Sequence, residues 1–153
     1  MTLSDAKGAP APVPAGRQGT IDVLLADGDE RFREIVRRRL GGRVRLVAEA
    51  ASGAEAIERA RVCRPHVVLM DLGLEDPDTF GVTRRIKADD PRTKVVLMTA
   101  HDEEAYLDAT GKSGADALLP KRRVRDEVLD IVIAAATGEA PARAAWGAWA
   151  STR

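Results

Sequence analysis

The sequence predicts an α/β domain in which a doubly wound parallel sheet of five strands is covered by helices on both faces. Three observations support this prediction. Four short apolar runs do not alternate in polarity, which is typical of strands that are buried on both faces. Segments with helical spacing separate these runs. The 153 residues also suit one domain, whose core needs no disulfide or metal.

The strands are predicted at residues 23–26, 67–70, 95–98 and 117–120, and a weaker strand with alternating polarity is predicted at 44–50. Pro120 has no N–H to donate to a sheet, so the last strand is expected at an edge. An edge position for that strand agrees with the flavodoxin-like strand order 2-1-3-4-5.

Five helices are predicted from apolar residues spaced three or four apart. The first is expected to stop at Gly41 and the second before Pro65. Their apolar faces comprise, in order, Phe32, Ile35, Val36 and Leu40; Ala56, Ile57, Ala60 and Cys63; Val82, Ile86 and Ala88; Ala105, Leu107 and Ala109; and Val124, Val128, Ile131, Val132 and Ala135.

The two ends of the chain differ in composition from its middle. Residues 1–19 are rich in Ala, Pro and Gly, so they are predicted to form a disordered arm. The folded domain is expected at residues 20–137, followed by an Ala-rich tail at 138–153. That tail carries Trp146 and Trp149, which are expected to dock on the domain or on a partner.

Composition excludes several classes of function. The formal charge is 24 − 24 = 0, which argues against a broad electrostatic nucleic-acid binder, and no direct contact with nucleic acid is expected. Cys63 is the only cysteine, so an intrachain disulfide or a cysteine-based zinc site is excluded. No apolar run suits a membrane span or a signal peptide, so no membrane contact and a cytoplasmic location are expected.

Polar residues follow four of the predicted strands. The apolar runs end at Asp27, Asp71, Thr99 and Lys121. Because the carboxyl ends of parallel strands meet at one edge, two carboxylates, a hydroxyl and an ammonium are expected to lie close together. This combination suits the transfer of a phosphoryl group to a carboxylate, with a hard cation and an ammonium to neutralise its oxygens.

With these residues in place, the sequence resembles the receiver domain of two-component response regulators over residues 20–137. The resemblance is carried by residues 23–27, 66–72, 95–100 and 114–121, and it is closer to NarL-type than to OmpR-type receivers. It implies that Asp71 accepts a phosphoryl group from a histidine kinase or phosphotransfer protein, with Thr99 and Lys121 in contact with that group. It also implies a Mg²⁺ ion at Asp27, Asp71 and the Gly73 carbonyl.

The sequence departs from the family at several positions. Gly28 replaces an expected acidic ligand, so magnesium is expected to bind weakly unless Glu75 or Asp76 supplies an oxygen. Asp29 is expected to point elsewhere, because it begins a helix. Leu118 stands where the family commonly has a Tyr or Phe that moves inward on activation. The loop after Asp71 also lacks the usual proline, and Thr79 replaces a glycine.

The individual residues have structural interpretations as well. Asp27 and Lys121 could form a simple ion pair, and Thr99 could cap the segment that follows it. His101 is expected to be an exposed loop residue.

The functional prediction is a signalling protein that catalyses only its own phosphorylation and hydrolysis, and that acts through a downstream protein or a homodimer. Two alternatives stay open at this stage. One is a degenerate receiver that works as a phosphorylation-independent interaction module. The other, more distant, is a phosphatase resembling haloacid dehalogenases, with Asp27 as the nucleophile and Asp29 as the general acid and base.

Overall fold

The structure is a computed structural model that describes residues 19–74, 78–101 and 103–138. Most of the predicted N-terminal arm, the acidic loop residues Glu75 and Asp76, and both tryptophans of the tail lie outside the described residues. The predictions that concern them therefore stay predictions.

Five parallel strands form one sheet in the order β2-β1-β3-β4-β5, as the sequence predicted. Pro120 ends β5, which lies at the sheet edge where an absent N–H costs no ladder hydrogen bond. The strands are β1 Ile21–Ala26, β2 Val44–Ala50, β3 Val67–Asp71, β4 Lys94–Thr99 and β5 Ala117–Pro120.

Five helices alternate with the strands, and each contains an apolar face predicted from the sequence. They are α1 Glu30–Arg39, α2 Gly53–Cys63, α3 Thr79–Asp89, α4 Glu103–Ser113 and α5 Val124–Thr137, with a 3₁₀ turn at Lys121–Arg123 before α5. Two predicted apolar-face residues are wrong, because Ala88 of α3 and Ala105 of α4 are exposed. Among the described residues, no helix is both long and apolar enough to cross a membrane.

The core consists of two apolar layers, one on each face of the sheet. Val23 and Leu25 of β1 belong to the layer that α1 and α5 cover. Leu24 and Ala26 of the same strand belong to the layer that α2 and α3 cover. Because both faces are covered, every side chain of this run is fully buried, which explains why the run does not alternate in polarity.

Candidate functional site

The four predicted site residues follow or end four strands at the carboxyl edge of the sheet. Asp27 comes directly after β1, Asp71 is the last residue of β3, and Thr99 is the last residue of β4. Lys121 comes directly after β5 and opens the 3₁₀ turn. The architecture therefore places all four residues at one edge, as strand-end reasoning predicts.

Lys121 connects the two carboxylates of the site. Its Nζ donates to Oδ2 of Asp27 at 2.8 Å and lies 3.3 Å from Oδ1 of Asp71. The Lys121 side chain is 19% exposed and that of Asp71 is 14% exposed, so both groups are mostly buried but keep some contact with water. The ammonium thus partly neutralises two close anions at the carboxyl edge of the sheet.

Asp27 is the most deeply buried charged group of the site. Its side chain is 1% exposed, and its two oxygens accept hydrogen bonds from Lys121 and from the Asp29 amide, the latter at 2.8 Å. Burial raises the pKa of Asp27, and the nearby Asp71 charge acts in the same direction, although Lys121 and the Asp29 amide oppose the shift. Desolvation therefore has a larger effect on this carboxyl than its ion pair.

Thr99 reaches the site through the register of the sheet. It pairs with Pro120 across β4 and β5, so it lies beside the residue that precedes Lys121. Its buried hydroxyl accepts a hydrogen bond from the His101 amide at 3.0 Å, which is the local capping contact that the sequence allowed. The His101 residue itself is exposed, in agreement with the prediction.

The two positions after Asp27 supply no carboxylate to the pocket. Gly28 has no side chain, and the Asp29 carboxylate instead caps α1 by accepting a hydrogen bond from the Arg31 amide at 2.9 Å. The prediction that Asp29 points elsewhere is therefore confirmed. A Cβ at Gly28 would contact only the Ala51 carbonyl oxygen, at an ordinary 3.6 Å, so the glycine is not required for packing.

The residues proposed for magnesium fit a weakly held ion. Gly73 lies against Asp71, since a Cβ at Gly73 would be 3.3 Å from Oδ2 of Asp71, so a carboxylate and a nearby main chain could act together. Asp27 is committed to Lys121, however, and no group of three His, Cys, Asp or Glu side chains suited to a metal occurs in the described ranges. Such a donor set suits Mg²⁺ that keeps several water ligands.

Sequence reasoning missed three residues around the site, which are Phe32, Arg33 and Glu49. The Phe32 ring of α1 lies under Lys121, with Nζ 4.1 Å from the ring centroid. Arg33 donates from Nη1 to the Asp27 carbonyl oxygen at 2.6 Å and from Nε to Glu49 at 2.8 Å. Helical spacing identified Phe32 only as a core residue, and no spacing rule indicates how far Arg33 reaches.

Two departures from the family have clear structural settings. Leu118 is 1% exposed and belongs to the apolar layer under α2 and α3, so its side chain is already inside the protein. Thr79, at the start of α3, is buried and donates from its hydroxyl to the Leu72 carbonyl oxygen at 3.2 Å. This hydrogen bond connects α3 to the turn that follows Asp71.

Comparison with known proteins defines the class to which this fold and site belong. Residues 23–133 match the family described as the response regulator receiver domain, and the chain belongs to that family. The resemblance inferred from the strand-end residues is therefore confirmed.

The relatives also identify the type of receiver. Response regulator protein VraR of Staphylococcus aureus strain Mu3 is 34% identical over 122 residues, which are 78% of this chain and 58% of VraR. The signal receiver domain of a putative response regulator, NarL, from Mycobacterium tuberculosis is 33% identical with a TM-score of 0.74, covering 78% of this chain and 98% of that domain. A LuxR-family regulator from Aurantimonas sp. SI85-9A1 is 30% identical with a TM-score of 0.75, covering 86% of this chain and 94% of that one. The relatives confirm the NarL-type prediction, and the chain spans little more than half the length of VraR.

These matches do not favour either alternative function. The phosphatase hypothesis needs the Asp29 carboxylate as a general acid and base, whereas that carboxylate is the N-cap of α1. A receiver domain is a signalling domain rather than a classical enzyme.

Proposed function

We propose that Asp71 accepts a phosphoryl group from a phosphohistidine of a histidine kinase or phosphotransfer protein, and that the phosphorylated domain signals through contacts with a downstream protein. One observation carries the proposal. A single ammonium, that of Lys121, lies within 3.3 Å of the carboxylates of both Asp27 and Asp71 at the carboxyl edge of the sheet.

The proposed step is an in-line transfer to an oxygen of the Asp71 carboxylate. That oxygen attacks phosphorus, the phosphorus–nitrogen bond breaks, and the departing imidazole keeps the electron pair and takes up a proton. Hydrolysis later removes the phosphoryl group. Water attacks phosphorus, the acyl phosphate bond breaks, and the products are inorganic phosphate, the free carboxylate and a proton released to solvent. Both steps place negative charge on phosphoryl oxygens next to Lys121.

Two side chains are proposed to stabilise that charge. Lys121 moves its ion pair from Oδ1 of Asp71 to a phosphoryl oxygen while it keeps its contact with Asp27. Thr99 donates its hydroxyl proton to another phosphoryl oxygen and continues to accept from the His101 amide through its lone pair. Such preorganised donors stabilise the transition state because they need little reorganisation when the charge develops.

The proposal includes a weakly bound Mg²⁺ held by Asp71 and the Gly73 carbonyl, with Asp27 nearby. When bound, the ion neutralises phosphoryl oxygens and so assists the transfer. Lys121 contacts the Asp71 carboxylate without the ion.

The proposed partners are the phosphoryl donor and a downstream protein, and a second copy of the chain is the further candidate. The proposal also keeps the cytoplasmic location that the sequence predicted.

The test is intact mass after incubation with acetyl phosphate, with and without Mg²⁺. We expect one phosphoryl adduct on the unmodified chain, faster formation with Mg²⁺, and none on Asp71→Asn. Asp108→Asn is the matched control, because its carboxylate on α4 is 82% exposed and lies outside the site.

An adduct that persists in Asp71→Asn would assign the phosphoryl group to another residue. If no adduct forms on the unmodified chain under any condition, the phosphorylation-independent module becomes the better account.

A further inference from the structure

We propose that Phe32 is a positioning residue whose ring face holds the Lys121 ammonium in place for phosphoryl transfer to Asp71. The inference rests on the proposed function. It assigns Phe32 a role that acts through Lys121 rather than on the reacting atoms.

The ammonium of Lys121 is enclosed by three groups. Oδ2 of Asp27 lies at 2.8 Å, Oδ1 of Asp71 at 3.3 Å, and the centroid of the Phe32 ring at 4.1 Å. The distance to the ring is well within the range in which the negative face of an aromatic ring attracts a cation. The ring therefore adds an attractive surface for the ammonium beside the two carboxylates.

The ring is fixed because both of its flanks are tied to Asp27. Three residues before the ring, the Asp29 amide donates to Oδ1 of Asp27 at 2.8 Å. One residue after the ring, Arg33 donates to the Asp27 carbonyl oxygen at 2.6 Å. Phe32 also packs on the apolar layer between the sheet and α1. The two hydrogen bonds thus fix the position of the first turn of α1 relative to Asp27, the aspartate that binds Lys121.

A ring is suited to this position because of what changes during transfer. When Asp71 becomes an acyl phosphate, its carboxylate charge is lost and negative charge appears on the phosphoryl oxygens. The ammonium must then change partner on one side while it stays attached to Asp27 on the other. A carboxylate in place of Phe32 would compete with the phosphoryl group for this cation, whereas a ring face attracts the cation without accepting a strong hydrogen bond.

The ring also limits the alternatives open to a flexible lysine. The Lys121 side chain is only 19% exposed, and with a small residue at position 32 the ammonium could turn into water. Phe32 therefore keeps the ammonium within reach of the acceptor in both states of the site.

The experiment uses the full chain with fluorinated phenylalanines at position 32. One, two and three ring fluorines weaken the negative ring face stepwise while they change ring size little. The measured quantity is the rate constant for phosphoryl uptake from acetyl phosphate at saturating Mg²⁺. We expect the logarithm of the rate constant to fall with each fluorine, so that the rate constant itself falls about tenfold over the series.

Matched controls separate this role from packing. The chain has two phenylalanines, and the same series at Phe80 of α3, which packs on the other apolar layer, is expected to leave the rate unchanged. Phe32→Trp should keep most of the rate, and Phe32→Leu should lose as much as the trifluorinated ring. In a Lys121→Met background, fluorination at Phe32 should have no further effect.

A second measurement does not depend on phosphorylation. The ammonium protons of Lys121 are expected to give a resolved ¹H–¹⁵N NMR signal that is shifted by the ring current of Phe32. In Phe32→Leu the signal should lose this shift and broaden through exchange with water.

The outcomes distinguish the two proposals. A flat rate across the fluorine series, or an unchanged Lys121 signal in Phe32→Leu, overturns the role of Phe32. Absence of uptake in the unmodified chain, with a Lys121 signal that still responds to Phe32, overturns the proposed function and leaves the ring–ammonium contact established.

Discussion

Two acidic residues, one directly after β1 and one in β2, have pKa values that shift in opposite directions, although both residues pair with cations. Asp27 follows β1 and pairs with Lys121, whereas Glu49 of β2 lies opposite Leu25 of β1 and pairs with Arg33 and Arg37. The pKa of Asp27 is raised by burial. The pKa of Glu49 is lowered, mainly by the hydrogen bonds from Arg37 and with a further contribution from Arg33.

Solvent exposure and the number of cations explain the difference. The Asp27 side chain is 1% exposed and shares one ammonium with Asp71, so desolvation exceeds the attraction. The Glu49 side chain is 28% exposed and accepts three hydrogen bonds from two guanidinium groups. The first arrangement costs stability at neutral pH and the second contributes stability.

Arg33 connects the two regions. It donates to Glu49 on one side and to the Asp27 carbonyl oxygen on the other. The comparison indicates that the pocket keeps poorly compensated charge available for chemistry, while the adjacent Arg33–Glu49–Arg37 cluster stabilises the helix that borders it.

The largest expected effect comes from removing the ammonium that contacts both carboxylates of the site. Lys121→Met leaves the buried Asp27 charge without its partner, which is expected to lower the free energy of unfolding at pH 7 by about 3 kcal/mol. The loss should shrink as the pH falls through the raised native pKa of Asp27, because that carboxyl then takes up a proton in the folded state. Urea unfolding over a series of pH values measures it.

Lys112→Met is the control, because its pair with Asp108 on α4 is 75% and 82% exposed and is expected to contribute less than about 0.5 kcal/mol. Equal losses in the two variants would show that Lys121 does not neutralise a costly charge.

The second-largest effect is expected from adding a negative charge at Gly28, next to Asp27. Gly28→Asp places a carboxylate where the structure leaves room, and it is expected to tighten Mg²⁺ binding by about tenfold, which corresponds to 1.4 kcal/mol. Broadening of the Asp71 and Gly73 NMR signals by Mn²⁺, with competition by Mg²⁺, measures the affinity.

Gly41→Asp is the matched control, since Gly41 also has open space and lies before β2, at the opposite edge of the sheet. An unchanged Mg²⁺ affinity in Gly28→Asp would mean that the missing carboxylate does not limit metal binding here.

The fold could be predicted from the sequence because its signals are local. Strands buried on both faces produce runs such as residues 67–70 that a half-exposed strand would not contain. Pro120 likewise indicated the edge strand from a local property, because proline has no N–H to donate to a sheet. Helix ends were less accurate, since α1 ends at Arg39 with Leu40 already extended, before the glycine pair that was expected to stop it.

The site could be predicted as far as strand ends determine it. Asp27, Asp71, Thr99 and Lys121 needed only the topology to be placed at one edge. Phe32, Arg33 and Glu49 depend on how α1 is rotated over the sheet and on how far long side chains reach. Neither quantity follows from residue spacing, so the positions of these three residues could not be predicted from the sequence.

A smaller effect of opposite sign is expected from Asp27→Asn. At neutral pH the change removes a desolvated charge and should raise the free energy of unfolding by about 1 kcal/mol. Because the pKa of Asp27 is raised in the folded state, wild type loses stability as the pH rises from about 3.9, the usual unfolded value, through the native pKa. The gain should therefore vanish near pH 3.

Asp108→Asn, at an exposed carboxylate, should change stability by less than about 0.5 kcal/mol at either pH. A loss of stability in Asp27→Asn at pH 7 would mean that the pair with Lys121 outweighs desolvation, and the contrast with Glu49 would disappear.

The smallest effect is expected at Glu49, the acidic residue whose pKa is lowered. Glu49→Gln keeps a hydrogen-bond acceptor but removes the anion between Arg33 and Arg37, and it should lower the free energy of unfolding by roughly 0.5 kcal/mol at pH 7. Because the native pKa of Glu49 is lowered, its contribution is present above about 4.3, the usual unfolded value, and is lost as the pH falls through the native pKa. The pH dependence is thus the reverse of that for Asp27.

Salt gives the sharper test of this last prediction. Glu49 and its arginines are partly exposed, so 0.5 M NaCl should reduce the loss in Glu49→Gln by about half, while the gain in Asp27→Asn persists because desolvation is not screened. Glu34→Gln, on the outer side of α1 where Glu34 pairs with Arg38, should cost less than Glu49→Gln at low salt. If Glu34→Gln and Glu49→Gln lower the free energy of unfolding equally, Glu49 is an ordinary surface acid. The stability that offsets the cost of burying Asp27 must then come from the apolar layer between α1 and the sheet.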